Sequence, residues 1–447
     1  MGTKSKRKVH LTRPIPAHWI GIKKNWQRTC QSLSEALVTI RSEDLATHGL
    51  VIGSTGSGKT NLIHHLCAQD ILQGHSLVVL DARGDLARAV IELAARAGVD
   101  PERVQFLNLR EKERPTGFNP LAGQGEPYYR ALGLLAAIEE ESESWGVQLA
   151  ETLRNAALLL SEAKSTLTNL ESLFYDPHVR RSLMQQAKSE GVLAFWKRYN
   201  LLTPDRQAAL AGPVLNKVSI LLSTETLRNV FGHPEPIDLE KQLNTPGTIT
   251  LVSLAVDELH AAGWMTGSLF LSSVCREIFS RTDIPESRRV PVRIVVDEFE
   301  HFGITEFENI LAEGRRYKCS LLLAHQTLAQ LAPKMRSMIL GNVGVKAVFR
   351  AARQDADVLC RDLTGNAKSF DLATLPVGEA LLWRRGEEPV HVEVNSPIIR
   401  DVGLLCPKAK SLLEVIRSRT PIAEASPVAL PLDNDEEPEV NSLEEWL

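Results

Sequence analysis

The sequence predicts an α/β protein: a parallel sheet covered by helices on both faces, with an all-α block spliced into it. Three observations carry this reading. Short buried-strand runs alternate with helical spacings, as in a sheet packed on both sides. Gly53-Ser54-Thr55-Gly56-Ser57-Gly58-Lys59-Thr60 reads G-x-x-x-x-G-K-T, the phosphate-binding P-loop. Between residues 128 and 243 helical patterns dominate, and no buried strand of four or more β-branched residues appears.

Residues 1–28 carry eight Lys or Arg and no acid, with Trp19 and Trp26 among them. Such an arm can hold a nucleic-acid backbone and stack bases, or it can be a solvated leader whose tryptophans pack on the body. Leu50-Val51-Ile52 is the strand before the P-loop, and Leu62, Ile63 and Leu66 mark one face of the helix after it. The glycines let backbone N–H groups turn inward around phosphate oxygens, and the helix N-terminus adds positive potential. Lys59 is expected on the β- and γ-phosphates and the Thr60 hydroxyl on Mg²⁺.

Ser76 to Leu80 is a second strand, followed by Asp81-Ala82-Arg83-Gly84-Asp85 and a helix from Leu86 to Ala97 that Gly98 stops. Asp85 is a good N-cap for that helix. Asp81 serves the turn, or orients water or metal near the phosphates. Val104 to Leu107 is a third strand. The Gly- and Pro-rich stretch from Thr116 to Pro127, with Phe118-Asn119-Pro120-Leu121 inside it, leads out into the helical block. There the helical spacings fall at 147–163, 166–174, 178–188 and, as one long helix, around 205–230.

Strand character returns at Thr248 to Val252, and a helix follows around 262–281. Val292-Arg293-Ile294-Val295-Val296-Asp297-Glu298 is a Walker B pattern: apolar residues around one Arg, leading into two acids. A helix is expected from Phe302 to Tyr317. Ser320 to Ala324 is a strand ending at His325-Gln326, and Val343–Phe349 and Glu379–Trp383 are two more, with a helix near 353–363 between them. The expected organisation is a basic arm and lead-in (1–44), a nucleotide domain in two pieces (45–127 and 244–404), the all-α insertion (128–243) and a flexible acidic tail (405–447).

Ligands of such sheets sit at the carboxyl ends of the strands. Lys59, Asp81, Asp297 and Gln326 all fall at or just after such ends. Asp297 is expected to hold Mg²⁺, Glu298 to polarise the attacking water, and Gln326 to sense the γ-phosphate from a neighbouring strand. ATP and Mg²⁺ are the implied cofactors. Lys59 and Asp297 are 238 residues apart, a gap that the helical block mostly accounts for.

The composition limits the partners. No apolar run approaches the roughly 18–20 residues that span a bilayer. The six cysteines contain no C-x-x-C pair, which disfavours a zinc site or a disulfide framework and suits a reducing cytoplasm. Net charge is −4, yet residues 433–447 alone carry seven acids and no base. The remainder is weakly positive, which permits nucleic-acid contact.

The ordered set Gly53–Thr60, Asp81–Asp85, Phe118–Leu121, Pro213-Val214-Leu215-Asn216-Lys217, Asp297-Glu298-Phe299, Glu313-Gly314-Arg315-Arg316-Tyr317, Ala324-His325-Gln326 with Gln330-Leu331, Gly341-Asn342 and Phe349-Arg350 spans about residues 45–385. It resembles the HerA–FtsK superfamily of ring ATPases, and within it the TraD/TraG-type conjugative coupling proteins and their HerA-like relatives. The resemblance implies a RecA-like motor domain, an all-α insertion, and a hexameric ring that moves DNA through its pore. It also implies a trans-acting arginine eleven residues before the sensor glutamine, which falls on Arg315, with Arg316 as the alternative; on the residues alone, these two cations simply complement a helix dipole. Coupling proteins usually begin with transmembrane helices, and none is read here, so attachment at the inner membrane would be peripheral and through a partner. Three functions follow: an ATP-driven DNA translocase, an ATP-dependent receptor that recruits a relaxosome or effector to a secretion channel, or a scaffold for a partner nuclease.

Overall fold

Apolar, β-branched runs flanked by helices on both sides pair into one sheet in the computed structural model. The structure describes residues 7–11 and 37–421, apart from positions 141, 143, 303, 367–369, 395, 396, 400 and 402. Most of the basic arm, with Trp19 and Trp26, and the acidic segment after Pro421 lie outside the described residues. The strands are β1 (Arg7–Leu11), β2 (Leu37–Ile40), β3 (Gly49–Ile52), β4 (Ser76–Asp81), β5 (Val104–Asn108), β6 (Ile249–Ser253), β7 (Val292–Val296), β8 (Cys319–His325), β9 (Val345–Val348), β10 (Glu379–Arg384) and β11 (Val390–Glu393). Their spatial order is β2-β1-β11-β10-β9-β3-β8-β7-β4-β6-β5. Among the described strands only β10 runs against its neighbours; the other pairings are parallel.

Alternation along each strand feeds two cores. Leu50, Ile52, Val78 and Leu80 face one side, and Val51, Leu77 and Val79 the other. The second side is covered by the P-loop helix Lys59–Gln73, by Asp85–Ala97 and by Pro407–Arg419. The first side is shared with the helical block, whose described residues form eight α-helices from Pro127–Glu140 to Leu239–Asn244. Phe118 explains the junction. Its ring packs against Phe231 of the block (5.2 to 6.0 Å being the span of its two ring contacts) and against Phe270 of the helix Ala261–Phe279. The block therefore shares a continuous core with the sheet.

Register places the site. Ile52 at the end of β3 is level with His325 and with Val348, and Leu80 is level with Val296. The P-loop, Asp297, Gln326 and Arg350 thus emerge together on one rim.

Several expectations differ from the structure. The long helix around 205–230 is broken: Pro204–Val218 passes into a 3₁₀ turn at Ser219–Leu222, and Glu225–Phe231 starts afresh because Thr224 Oγ1 accepts from the Leu227 N–H and caps it. The Phe302–Tyr317 helix is α-helical only over Ile304–Glu313 and tightens to 3₁₀ at Gly314–Tyr317. Asp85 is not an N-cap. Left-handed Gly84 occupies that position, and Asp81 caps from the strand end by accepting from the Ala87 N–H (2.8 Å). Residues 405–421 do not begin a flexible tail. Pro407 opens a helix that buries Ala409, Leu412 and Ile416 on the sheet's second core.

The single charge in β7 has a structural purpose. Arg293 is buried, with Nε 2.5 Å from Asp70 Oδ2 of the P-loop helix and Nη1 donating to Ser320 Oγ and the Leu45 carbonyl. Burial alone would raise the Asp70 carboxyl, but the Arg293 charge and the hydrogen bonds from His75 and Arg293 outweigh it, and its pKa is lowered. A depressed carboxyl stabilises the fold above its unfolded pKa, and that contribution is lost as pH falls through the folded value. Arg293→Met should strand the buried Asp70 charge and cost about 3–5 kcal/mol in denaturant unfolding. The double variant Arg293→Met/Asp70→Leu should recover most of that loss; equal loss in both would show that the pair's charge balance is irrelevant.

Candidate active site

The P-loop is clamped by the strand ends around it. Gly53 N–H donates to the His325 carbonyl (3.2 Å), Ser54 N–H to the Arg350 carbonyl (2.7 Å), and Gly378 N–H to the Ser57 carbonyl (2.9 Å). Two glycines are required. A Cβ on Gly53 would lie 2.6 Å from Phe349 Cβ, and Gly58, at φ +111°, begins the helix in a left-handed conformation with Gly378 against it. Ser57 Oγ is buried inside the loop with no partner among the described residues. Lys59 Nζ arches back to donate to the carbonyls of Gly53 (2.6 Å) and Ser54 (3.2 Å). Burial lowers the lysine's pKa, while the charges of Asp297, Glu300 and Glu298 oppose the shift. Thr60 is exposed on the first turn of the helix. Loop N–H groups, an ammonium, a hydroxyl and a nearby carboxylate are the donor set for a nucleoside triphosphate with Mg²⁺, an ion that takes one or two carboxylates, phosphate oxygens and waters.

Carboxylates crowd the other side of the cleft. Burial, reinforced by the charges of Asp81 and Glu298, pushes the Asp297 carboxyl up to about 6, against the pull of Lys59. Asp81 is held by the N–H groups of Arg83 (3.0 Å) and Ala87 (2.8 Å), so it forms the turn expected of it and adds a like charge beside Asp297. Glu298 sits at φ 53°, ψ 45°, a left-handed conformation uncommon outside glycine, and its Oε1 lies 3.7 Å from Arg83 Nη2. Sequence reasoning missed Glu300. Its side chain is buried and its Oε2 meets His325 Nδ1 at 3.1 Å, which seats the histidine before Gln326. No local pattern marks this pair, because its members lie 25 residues apart.

Gln326 belongs to the cleft: Thr55 Oγ1 donates to its Oε1 at 3.1 Å, tying the P-loop to β8. Arg350 was quoted in the motif set but given no role; its Nε lies 3.5 Å from Ser54 Oγ. Arg315 and Arg316 are not brought to this cleft. Both are exposed in the 3₁₀ turn before β8, at the opposite end of the strand from Gln326. Seven residues at roughly 3.3 Å each put about 23 Å between the two ends.

Comparison with known proteins agrees with this architecture. Residues 31–191 match a family described as "Helicase HerA, central domain", and residues 291–365 one described as "TraM recognition site of TraD and TraG". The chain is 20% identical over 409 residues to the type 4 coupling protein DotL of Legionella pneumophila, covering 77% of this chain and 50% of that protein. It thus spans about half the length of the curated relative it matches. Among solved structures, the plasmid coupling protein TrwB in complex with ADP and Mg²⁺ aligns with a TM-score of 0.57 at 17% identity, over 82% of this chain and 89% of that one. TrwB with a non-hydrolysable ATP analogue gives the same score over 79% and 86%. VirB4 of Thermoanaerobacter pseudethanolicus gives 0.53 at 14% identity, over 81% and 90%. Fold and cleft together define a RecA-like P-loop NTPase. Within that class the chain resembles the HerA–FtsK type through these matched segments, and there the conjugative coupling proteins. Among the described residues no helix is long and apolar enough to cross a membrane.

The raised Asp297 pKa has a stability consequence. A carboxyl whose folded pKa exceeds its unfolded one weakens the fold as pH rises from about 4 to about 6, and the penalty persists above that. In metal-free protein, Asp297→Asn should therefore raise stability by about 1–3 kcal/mol at pH 7, less than a fully buried shift would give because water reaches the cleft. The gain should vanish below about pH 4. Unfolding midpoints measured across pH 4–8 test this, and a gain independent of pH would refute the electrostatic cause.

Proposed function

We propose that this chain is an ATP-hydrolysing motor of the coupling-protein or HerA-like kind that moves DNA through a hexameric ring. The observation that carries the proposal is the division of the site between the two ends of β8. One end adds Gln326 to the P-loop cleft, and the other exposes Arg315 far from it. A finger that cannot reach its own cleft suits a ring, where it would meet the nucleotide of a neighbouring subunit.

In this reading Gly53, Ser54, Thr55, Gly56, Ser57 and Gly58 wrap the phosphates, and Lys59 holds the β- and γ-groups. Thr60 and Asp297 hold Mg²⁺, which supplies charge to stabilise the phosphoryl oxygens when bound. Glu298 orients and polarises water, Gln326 senses the γ-phosphate, and Arg315 stabilises the transition-state charge in trans. The ring would sit at the inner membrane through a partner such as a secretion channel, with a relaxosome or nuclease as the other contacts. The matched TraM-recognition family favours a second reading, a substrate receptor that uses ATP without pumping DNA. Stimulation of ATPase activity by DNA, with strand movement, supports the first; ATPase activity indifferent to DNA supports the second.

Lys59→Ala should abolish hydrolysis with the fold intact, and Glu298→Gln should bind ATP and trap it. Wild-type turnover in Glu298→Gln would remove the role given to that carboxylate. Arg315→Ala should keep nucleotide affinity and lose about 10³–10⁵ in rate, the usual worth of an arginine finger. Mixing Arg315→Ala with Lys59→Ala should restore part of the activity, because one interface can then pair an intact loop with an intact finger. Full activity in Arg315→Ala, or no recovery despite proven subunit exchange, would overturn action in trans.

A further inference from the structure

A second cavity, of about 570 Å³, lies on the same rim of the sheet, away from the P-loop. It opens at the carboxyl ends of β4, β5 and β6, and five arginines line it: Arg83, Arg88, Arg110, Arg114 and Arg417. Three carboxylates line it too. Two of these are engaged: Asp257 by Arg110, and Glu111 by Arg417 at 2.8 Å. Among the described residues the Arg88 guanidinium has no carboxylate partner, and the Arg114 guanidinium donates to the Thr420 carbonyl (3.0 Å) and to no carboxylate. Arg83 reaches a carboxylate only at 3.7 Å, that of Glu298. The cavity therefore presents cationic donors that the fold itself does not neutralise.

The chain supplies an occupant of opposite charge. One wall is the helix Pro407–Arg419, through Leu413, Ile416 and Arg417. Arg114 then holds the carbonyl of Thr420, so the backbone leaves the described structure at the cavity's edge. Asp433 is twelve residues beyond Pro421, a stretch that can reach about 40 Å when extended. Residues 433–447 bring seven acids and no base, interleaved with Val440, Leu443 and Trp446 to meet the apolar wall. A short tether gives such a segment an effective concentration on the order of millimolar, so weak charge contacts suffice.

We propose that the acidic segment 433–447 docks in this arginine-lined cavity of its own chain. Arg83 belongs both to the cavity and to the surroundings of Glu298. A docked carboxylate therefore competes for the guanidinium nearest the candidate hydrolytic residue, and release of the segment frees the cavity for another polyanion.

Hydrogen exchange on the full-length protein tests the docking. Amides of 433–447 should exchange at least tenfold more slowly than in a free peptide of the same sequence. Glu436→Lys/Glu437→Lys, which leaves the folded body untouched, should remove that protection. Arg88→Glu/Arg114→Glu should also remove it while the amides of Asp85–Ala97 stay protected, and combining all four changes should restore it. Free-peptide exchange in the wild type overturns the proposal. So does protection that survives the arginine reversals, which would put the segment elsewhere. Protection that weakens on dilution would assign the cavity's occupant to a second copy and overturn docking within one chain.

Discussion

The ion pair between Arg293 and Asp70 fixes how the two halves of the cleft meet. The P-loop helix begins at Lys59 and carries Asp70 near its far end, and β7 ends just before Asp297. Backbone hydrogen bonds from Gly53 and Ser54 hold the near end of that helix to the tips of β8 and β9. The buried pair holds the far end to β7. With both ends anchored, the tilt of the helix is set, and so is the separation of the lysine from the carboxylates. A charge inside an apolar strand is costly, and here the cost is offset by full pairing: a carboxylate, a serine hydroxyl and a backbone carbonyl share the guanidinium.

Three acids, Asp297, Glu298 and Glu300, act on one lysine on the rim, a fourth, Asp81, lies beside Asp297, and the fold sorts them by partner. Asp81 is occupied by backbone N–H groups, and Glu300 by His325. Among the described residues Asp297 accepts only the N–H of its neighbour, and Glu298 has a single distant guanidinium. The two acids left with unspent charge are the pair that end the Walker B strand. Burial of Asp297, reinforced by the charges of Asp81 and Glu298, weakens the fold and suits the site to a cation, the trade expected where stability yields to function. The left-handed backbone at Glu298 belongs to the same trade, since strain of this kind persists only where the surroundings enforce it.

The centre of the sheet was legible because its strands are buried on both faces and carry largely apolar runs, broken by a charge only at Arg293 of β7. The flanking strands β1, β2 and β11 were not read from the sequence. Arg7–Leu11 and Val390–Glu393 mix polar with apolar residues over four or five positions, too short a pattern to separate from a loop. The Pro407–Arg419 helix hid for a related reason: its apolar stripe is three residues wide within a stretch rich in charge. The P-loop, Asp297, Glu298 and Gln326 could be placed on one rim from the sequence because each follows a strand that could be recognised. Contacts such as Thr55 with Gln326, 271 residues apart, exist only through sheet order, which local spacing does not encode. The distance of Arg315 from the cleft is of the same kind, since it depends on which end of β8 faces the P-loop.

The helical block is joined to the cleft through packed side chains. Trp264, near the start of the helix Ala261–Phe279, stacks on His301 at 4.4 Å, three residues beyond Glu298. Farther along the same helix, Phe270 packs on Phe118, Arg276 donates to the Pro120 carbonyl, and Glu277 accepts from the Gln124 N–H. Phe118 in turn touches Phe231 inside the block. A rotation of the backbone at Glu298 would press first on that stacked pair, then on a rigid helix, then on the block. Close-packed interiors transmit such displacements, whereas a loose linker would absorb them. The shared core would therefore carry such a displacement from the cleft to the helical block.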